Sequence, residues 1–302
     1  MGTSYNVMSA SEDGLIRQWT REGKPVGKSW HSDGGGVNTL TLSPDRTMVV
    51  SGSADSGLRL WSVKEGRVVG HPLEGHKDAV RCLDWSPHGL EIASGSKDGT
   101  VRRWNPHAGR QIGPTIDTGH DLVYVIKYSP QADKLASGGL DRMIRVWSKD
   151  GKLLIKIKGH HNSVKSLCWS KDGAYVFSGS ADGTIRKWQL IDGKEVFVLR
   201  GHTQPVVSIC VSLDERHLVS ASVDYSVRIW DLKTNQQVGH PLLHDDELLT
   251  VVLCSDGQYI ASAALDKKIY IWNLEAALKH AGDQVRTHIA IPFARSLISF
   301  VV

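Results

Sequence analysis

Apolar and polar residues along this chain of 302 residues change places in short runs and never in long ones. Segments such as VRCLDW (80–85), YVFSGS (175–180) and TIRKW (184–188) alternate, or stay apolar, over five or six positions. That is the pattern of strands covered on one face or both. Asp-Gly, Lys-Asp-Gly and Pro-His-Gly clusters separate them, and these are turn formers. The unit is therefore a hairpin of an apolar strand, a tight turn and an alternating strand, with another strand upstream and a fourth downstream, as in KEVFVLRGH (194–202). Helical periodicity is confined to LEAALKHAG (274–282), so the expected class is all-β.

The hairpin recurs. SGSADGTIRKW (178–188) has six counterparts, and their tryptophans, Trp19, Trp61, Trp104, Trp147, Trp188, Trp230 and Trp272, are 41 to 43 residues apart. Six residues before each tryptophan stands an aspartate (Asp13, Asp55, Asp98, Asp141, Asp182, Asp224, Asp266). Four residues before each aspartate stands a serine (Ser9, Ser51, Ser94, Ser137, Ser178, Ser220, Ser262). A histidine precedes the aspartate by 21 or 22 residues in five copies (His76, His120, His160, His202, His244), four of them in Gly-His pairs. His31 stands 24 residues before Asp55, which suggests the same role after a two-residue insertion.

A fixed period in this range is the signature of a repeat architecture. The pattern resembles the WD-repeat β-propeller family over nearly the whole chain, and the resemblance implies one domain over 1–302, a seven-bladed propeller of four-stranded antiparallel blades. It also implies that Trp, Ser, His and Asp form a hydrogen-bonded brace inside each blade, a scaffold and not seven catalytic triads. The blades are then 3–31, 37–75, 80–119, 123–159, 164–201, 206–243 and 248–291. The first has only three strands, and ARSLISFVV at 294–302 offers an innermost strand that would close the ring. The phrases VGHPLEGH, IGPTIDTGH and VGHPLLH further resemble WD arrays of fungal NACHT-type signalling proteins.

Composition narrows the function. A net charge of +4, with Lys and Arg scattered at regular intervals, lacks the basic block of a nucleic-acid binder. Cys82, Cys168, Cys210 and Cys254 lie far apart in apolar strands and read as buried thiols of a reducing compartment. No apolar run reaches the roughly 18 residues of a membrane span, and MGTSYNVMSA is not a signal peptide, so a cytoplasmic or nuclear protein is expected. GKPVGKS (23–29) is one residue short of a P-loop and precedes a strand. No metal-ligand, nucleophile-elbow or cofactor motif is present, so no cofactor, metal or catalytic residue is assigned and no enzyme is expected. The arginines two before the tryptophans, Arg17, Arg59, Arg102, Arg145, Arg186 and Arg228, repeat with the scaffold and read as structural.

Recognition should then sit where the copies differ. The resemblance places peptide binding at the channel mouth, on the residue before each turn aspartate (Glu12, Ala54, Lys97, Leu140, Ala181, Val223, Leu265) and on residues starting the innermost strands (Asn38, Arg81, Tyr124, Lys165, Val207, Leu249). Arg81, Lys97, Tyr124 and Lys165 make one side cationic and aromatic; Val207, Val223, Leu249 and Leu265 make the other aliphatic. Such a mouth suits an extended acidic or phosphorylated segment with an apolar anchor; variable loop residues without a ligand are the other reading. The expected function is a non-enzymatic interaction scaffold for other proteins or peptides. A phosphoinositide or nucleic-acid binder, or a propeller enzyme, are the alternatives. Deleting residues 294–302 is expected to give insoluble or markedly less stable protein, and a truncated chain with the melting temperature of the full one would overturn closure by that strand.

Overall fold

The computed structural model describes residues 7–20, 23–254, 256–279 and 287–289. They form seven antiparallel sheets, six of four strands and one of three. The fifth is representative: Val164–Trp169, Tyr175–Ser180, Ile185–Gln189 and Glu195–Leu199 follow one another from the centre outwards. First strands of neighbouring sheets pack on each other, which makes them the innermost: Val37–Leu42, Val80–Trp85, Val123–Tyr128, Val164–Trp169, Val206–Val211 and Leu248–Leu253 in blades two to seven. Blade one contributes Val7–Ala10, Leu15–Trp19 and Trp30–His31. Thr287–Ile289 pairs with the third strand of blade seven, Ile269–Asn273. One short helix, α1 (Leu274–Lys279), follows that third strand.

The second strands are buried past their first residue because both faces are covered, one by each neighbouring blade. Seven apolar clusters lie between the blades, one at each junction. A row of seven sheets has six junctions, so the seventh closes a ring. It joins Val7 and Trp19 of blade one to Ala261, Ala263, Ile269 and Ile271 of blade seven. The seven-bladed propeller expected from the repeat is thus the fold. The strand proposed at 294–302 lies outside the described residues.

Inside each blade the tryptophan Nε1–H donates to the serine Oγ, over 2.7 to 2.9 Å in all seven. Every one of these serines is 0 % exposed. In blades three to six the serine hydroxyl donates on to a histidine Nε2, as Ser178 does to His160 at 2.7 Å. The histidine Nδ1–H then donates to the turn aspartate, His160 to Asp182 at 2.9 Å. Glycine before His160 is a steric requirement, since a Cβ at Gly159 would sit 2.5 Å from the Trp188 ring.

Three blades depart from the expected brace: in blade one Asp13 takes Arg17 at 2.9 Å, and blades two and seven differ at their candidate histidines. His31 does not complete blade two: its side chain is 67 % exposed and leans on Asp33. Arg59 takes the aspartate instead, holding Asp55 with both guanidinium nitrogens at 3.2 and 2.7 Å. The inserted loop brings Gly34 so close that a Cβ there would lie 2.2 Å from the Arg59 guanidinium, which leaves no room for an imidazole. In blade seven His244 meets Ser262 at 2.8 Å, but its Nδ1–H faces the Leu242 carbonyl at 3.3 Å. Asp266 there accepts the Tyr270 hydroxyl. The other repeated arginines are likewise structural, as Arg145 is on Asp141 at 2.7 Å and Arg186 on Glu195 at 2.7 Å.

The brace predicts a local and a global effect. Ser178→Ala strands the Trp188 N–H and the His160 Nε2 in a dry interior, and a loss of about 1–3 kcal/mol in urea denaturation is expected; an unchanged midpoint would show that the bond carries no stability. Burial disfavours the charged imidazoles of His120, His160 and His202 and holds them below the usual value of 6.5, although their aspartates pull the other way. Below about pH 6.5 the unfolded chain therefore binds protons that the folded one refuses, and stability falls with pH. Burial works against ionised Asp98, Asp182 and Asp224 too, but hydrogen bonds from His76, His160 and His202 outweigh it and hold them well below the usual carboxylate range. Their contribution is complete above about pH 4 and is lost beneath it. The melting temperature should fall between about pH 7 and 5 and again below about pH 4; equal melting at about pH 7 and 5 contradicts the assignment.

Candidate functional site

The innermost strand of each of blades two to seven slips register by one residue near its start. Pairing passes over Asn38, Arg81, Tyr124, Lys165, Val207 and Leu249 in turn. These are the six strand-start residues singled out in the sequence. A bulge leaves its extra residue out of the ladder and re-aims the side chain, so the identity of that residue is not set by sheet pairing.

The residues before the turn aspartates lie at the same end of the same blades. The backbone N–H of Lys97 donates to Ala79, of Leu140 to Leu122, of Ala181 to Ser163, of Val223 to Pro205 and of Leu265 to Glu247, over 2.8 to 3.1 Å. Each acceptor is two residues ahead of the bulge. Both sets thus border one mouth.

Within it the side chains behave differently. Lys165 Nζ sits over the Tyr124 ring, 3.2 Å from its centroid, joining blades five and four. Arg81, half-buried on blade three, has its Nε–H shielded from solvent with no hydrogen-bond partner in the protein. Lys97 of the same blade is exposed and lies 3.6 Å from Asp78, a loose surface pair of small net worth. On the far side Val207 packs partly on the cluster between blades six and seven, and Leu249 on the one between blades seven and one. Val223 is half-buried, whereas Leu265 is 41 % exposed, as is Leu140 at 45 % on the cationic side. The aliphatic half is therefore mostly part of the walls.

One element of the mouth was passed over in the sequence. Asp245, Asp246 and Glu247 run directly into the innermost strand of blade seven, opposite the cationic blades. Asp245 takes the Lys268 ammonium at 2.7 Å and the Tyr270 hydroxyl at 3.3 Å. Three carboxylates in a row just before a strand were the available signal. The mouth thus carries Arg81, Lys97 and Lys165 at blades three to five, with Asp78 and Asp121 ahead of the innermost strands of blades three and four, and Asp245 to Glu247 at blade seven.

Deeper in the ring Lys127 of blade four pairs with Asp84 of blade three at 2.7 Å, and Asp84 also accepts the Tyr128 N–H at 2.8 Å. This couples two innermost strands. Cys82, Cys168 and Cys210 are free thiols, and burial pushes those of Cys82 and Cys210 up to about 12, so neither is a nucleophile at neutral pH. Among the described residues no group of three or more His, Cys, Asp or Glu side chains converges as a metal site would require. No helix among them is long and apolar enough to cross a membrane.

The sequence agrees with this geometry from another direction. A curated relative, Protein ROOT INITIATION DEFECTIVE 3 of Arabidopsis thaliana, is 54% identical to the chain over 41 residues, which is 14% of this chain and 9% of that protein. The length of that match is one blade. The family described as "WD domain, G-beta repeat" matches six times, at residues 23–62, 67–105, 113–148, 151–189, 193–231 and 235–273. Those six stretches cover most of the chain, and the chain belongs to the WD40 repeat family.

Proposed function

We propose that this ring is a non-enzymatic interaction scaffold of the cytoplasm or nucleus, and that its mouth at blades three to five captures an extended acidic or phosphorylated segment of another protein. WD40 propellers typically act as protein-interaction scaffolds, which supports the class of function. The finer reading rests on one observation: Arg81, Tyr124 and Lys165 occupy bulges, free of ladder constraints, on three consecutive blades.

The chemistry is that of anion capture. An Arg Nε–H left dry without a partner costs about 1–3 kcal/mol unless a ligand or water satisfies it. A guanidinium fork matches carboxylate and phosphate oxygens. The Lys165 ammonium resting on Tyr124 is held in place by an interaction of roughly 0.5–2 kcal/mol, weak enough to yield to a phosphate. Exposed Leu140 beside them offers an apolar contact.

An array of immobilised peptides carrying glutamate or phosphoserine next to apolar residues tests this. The wild-type protein should retain a subset of them, and Arg81→Glu with Lys165→Glu should weaken that retention by roughly tenfold or more at an unchanged melting temperature. Retention indifferent to both changes would remove the mouth from consideration. Steeply salt-dependent retention of phosphoinositide vesicles or polynucleotide in place of peptides would replace the reading with the alternative of anionic lipid or nucleic-acid binding.

A further inference from the structure

At the end of the ring away from the mouth, blades six and seven part to leave an open groove of about 480 Å³. Its walls are Ser212, Leu213 and Asp214 in the first turn of blade six, Asp256 to Gln258 in the matching turn of blade seven, and α1. Blades two to six connect their third and fourth strands by tight turns; blade seven inserts α1 there. The helix is a fixed wall: Leu274 and Ala277 are buried, and the Ala277 carbonyl lies so close to the outer strand of blade six that a Cβ on Gly239 would come within 2.7 Å of it.

The groove combines two kinds of surface. Leu213 is 69 % exposed on one side, and Leu278 faces the groove from the helix, backed by the cluster between the two blades. Around these leucines stand Asp214, Asp256 and Glu275, with His217 as the sole basic side chain among the lining residues. The nearby cations stay outside it: Arg216 reaches Asp214 at 3.8 Å, and Lys279 pairs with Glu275 one turn along the helix. The Ser212 hydroxyl and the Arg216 N–H both donate to Asp214 and hold its carboxyl below the usual value. The volume falls in the range of about 300–1,000 Å³ in which protein pockets enclose a ligand group.

We infer a second docking site in this groove, for a protein segment that presents a leucine-like side chain beside a lysine or arginine. The apolar side chain would cover Leu213 and Leu278, and the cation would meet the Asp214 and Glu275 carboxylates. Charge complementarity excludes from this end the acidic segments proposed for the mouth, so the two ends of the ring take partners of opposite sign.

A library of immobilised octapeptides with leucine fixed at the fourth position and all others random provides the probe. The full chain is compared with Leu213→Ser, with Glu275→Lys and with the Arg81→Glu, Lys165→Glu double variant, each checked for an unchanged melting temperature. Both replaced side chains are largely exposed, so the fold should tolerate them. Peptides enriched in Lys or Arg next to the leucine should be retained by the wild type and the mouth variant, and retained at least about fivefold less by each groove variant. Binding that disappears only in the mouth variant, or that does not change in either groove variant, would overturn the site. Because the mouth variant reports separately, failure of one site is distinguishable from failure of the other.

Discussion

A single hydrogen bond, from a buried tryptophan N–H to a buried serine hydroxyl on the neighbouring strand, is the constraint around which every blade is arranged. It occurs in all seven. The indole brings a large apolar surface into the gap between blades, and its polar edge would be orphaned there without the serine. Histidine and aspartate extend the chain outwards in blades three to six until it ends on a carboxylate at a turn. Tertiary packing, the conformation of the turn and the protonation state of the imidazole are thereby tied together.

The parts of the fold legible in the sequence are those that repeat. Trp, Ser and Asp stand at fixed spacing because the register of a hairpin places them, and that register shows in the chain as a count of residues. His31 shows where counting ends. Its spacing allowed the brace, but the loop it belongs to also brings Gly34 against Arg59, a contact no linear spacing reports. At the mouth the right positions were legible, since each was a difference at an equivalent site. Their exposure was not: Val207 and Leu249 look as available in the sequence as Leu265, yet packing between blades claims them. The groove beside α1 had only LEAALK as its trace, because a cavity belongs to three segments at once.

The molecule separates holding from choosing. The serine and tryptophan of the brace close their hydrogen bond within a blade, and the residues that differ between copies sit on bulges, turns and one inserted helix. The cationic stretch of the mouth and the acidic groove lie at opposite ends of the same sheets. Occupied as proposed, the two unlike ends would let the ring set the distance and angle between its partners.

The contact of Val7 and Trp19 with Ala261, Ala263, Ile269 and Ile271 has a kinetic meaning as well. A linear array of repeats can fray from its ends, one unit at a time, each step breaking one interface. A circle has no loose end. Releasing any blade breaks two interfaces together, so partial openings are penalised and the whole circle resists until it gives way at once. Slow, cooperative unfolding follows from shape alone, and it protects a protein whose unpaired outer strands would otherwise invite aggregation.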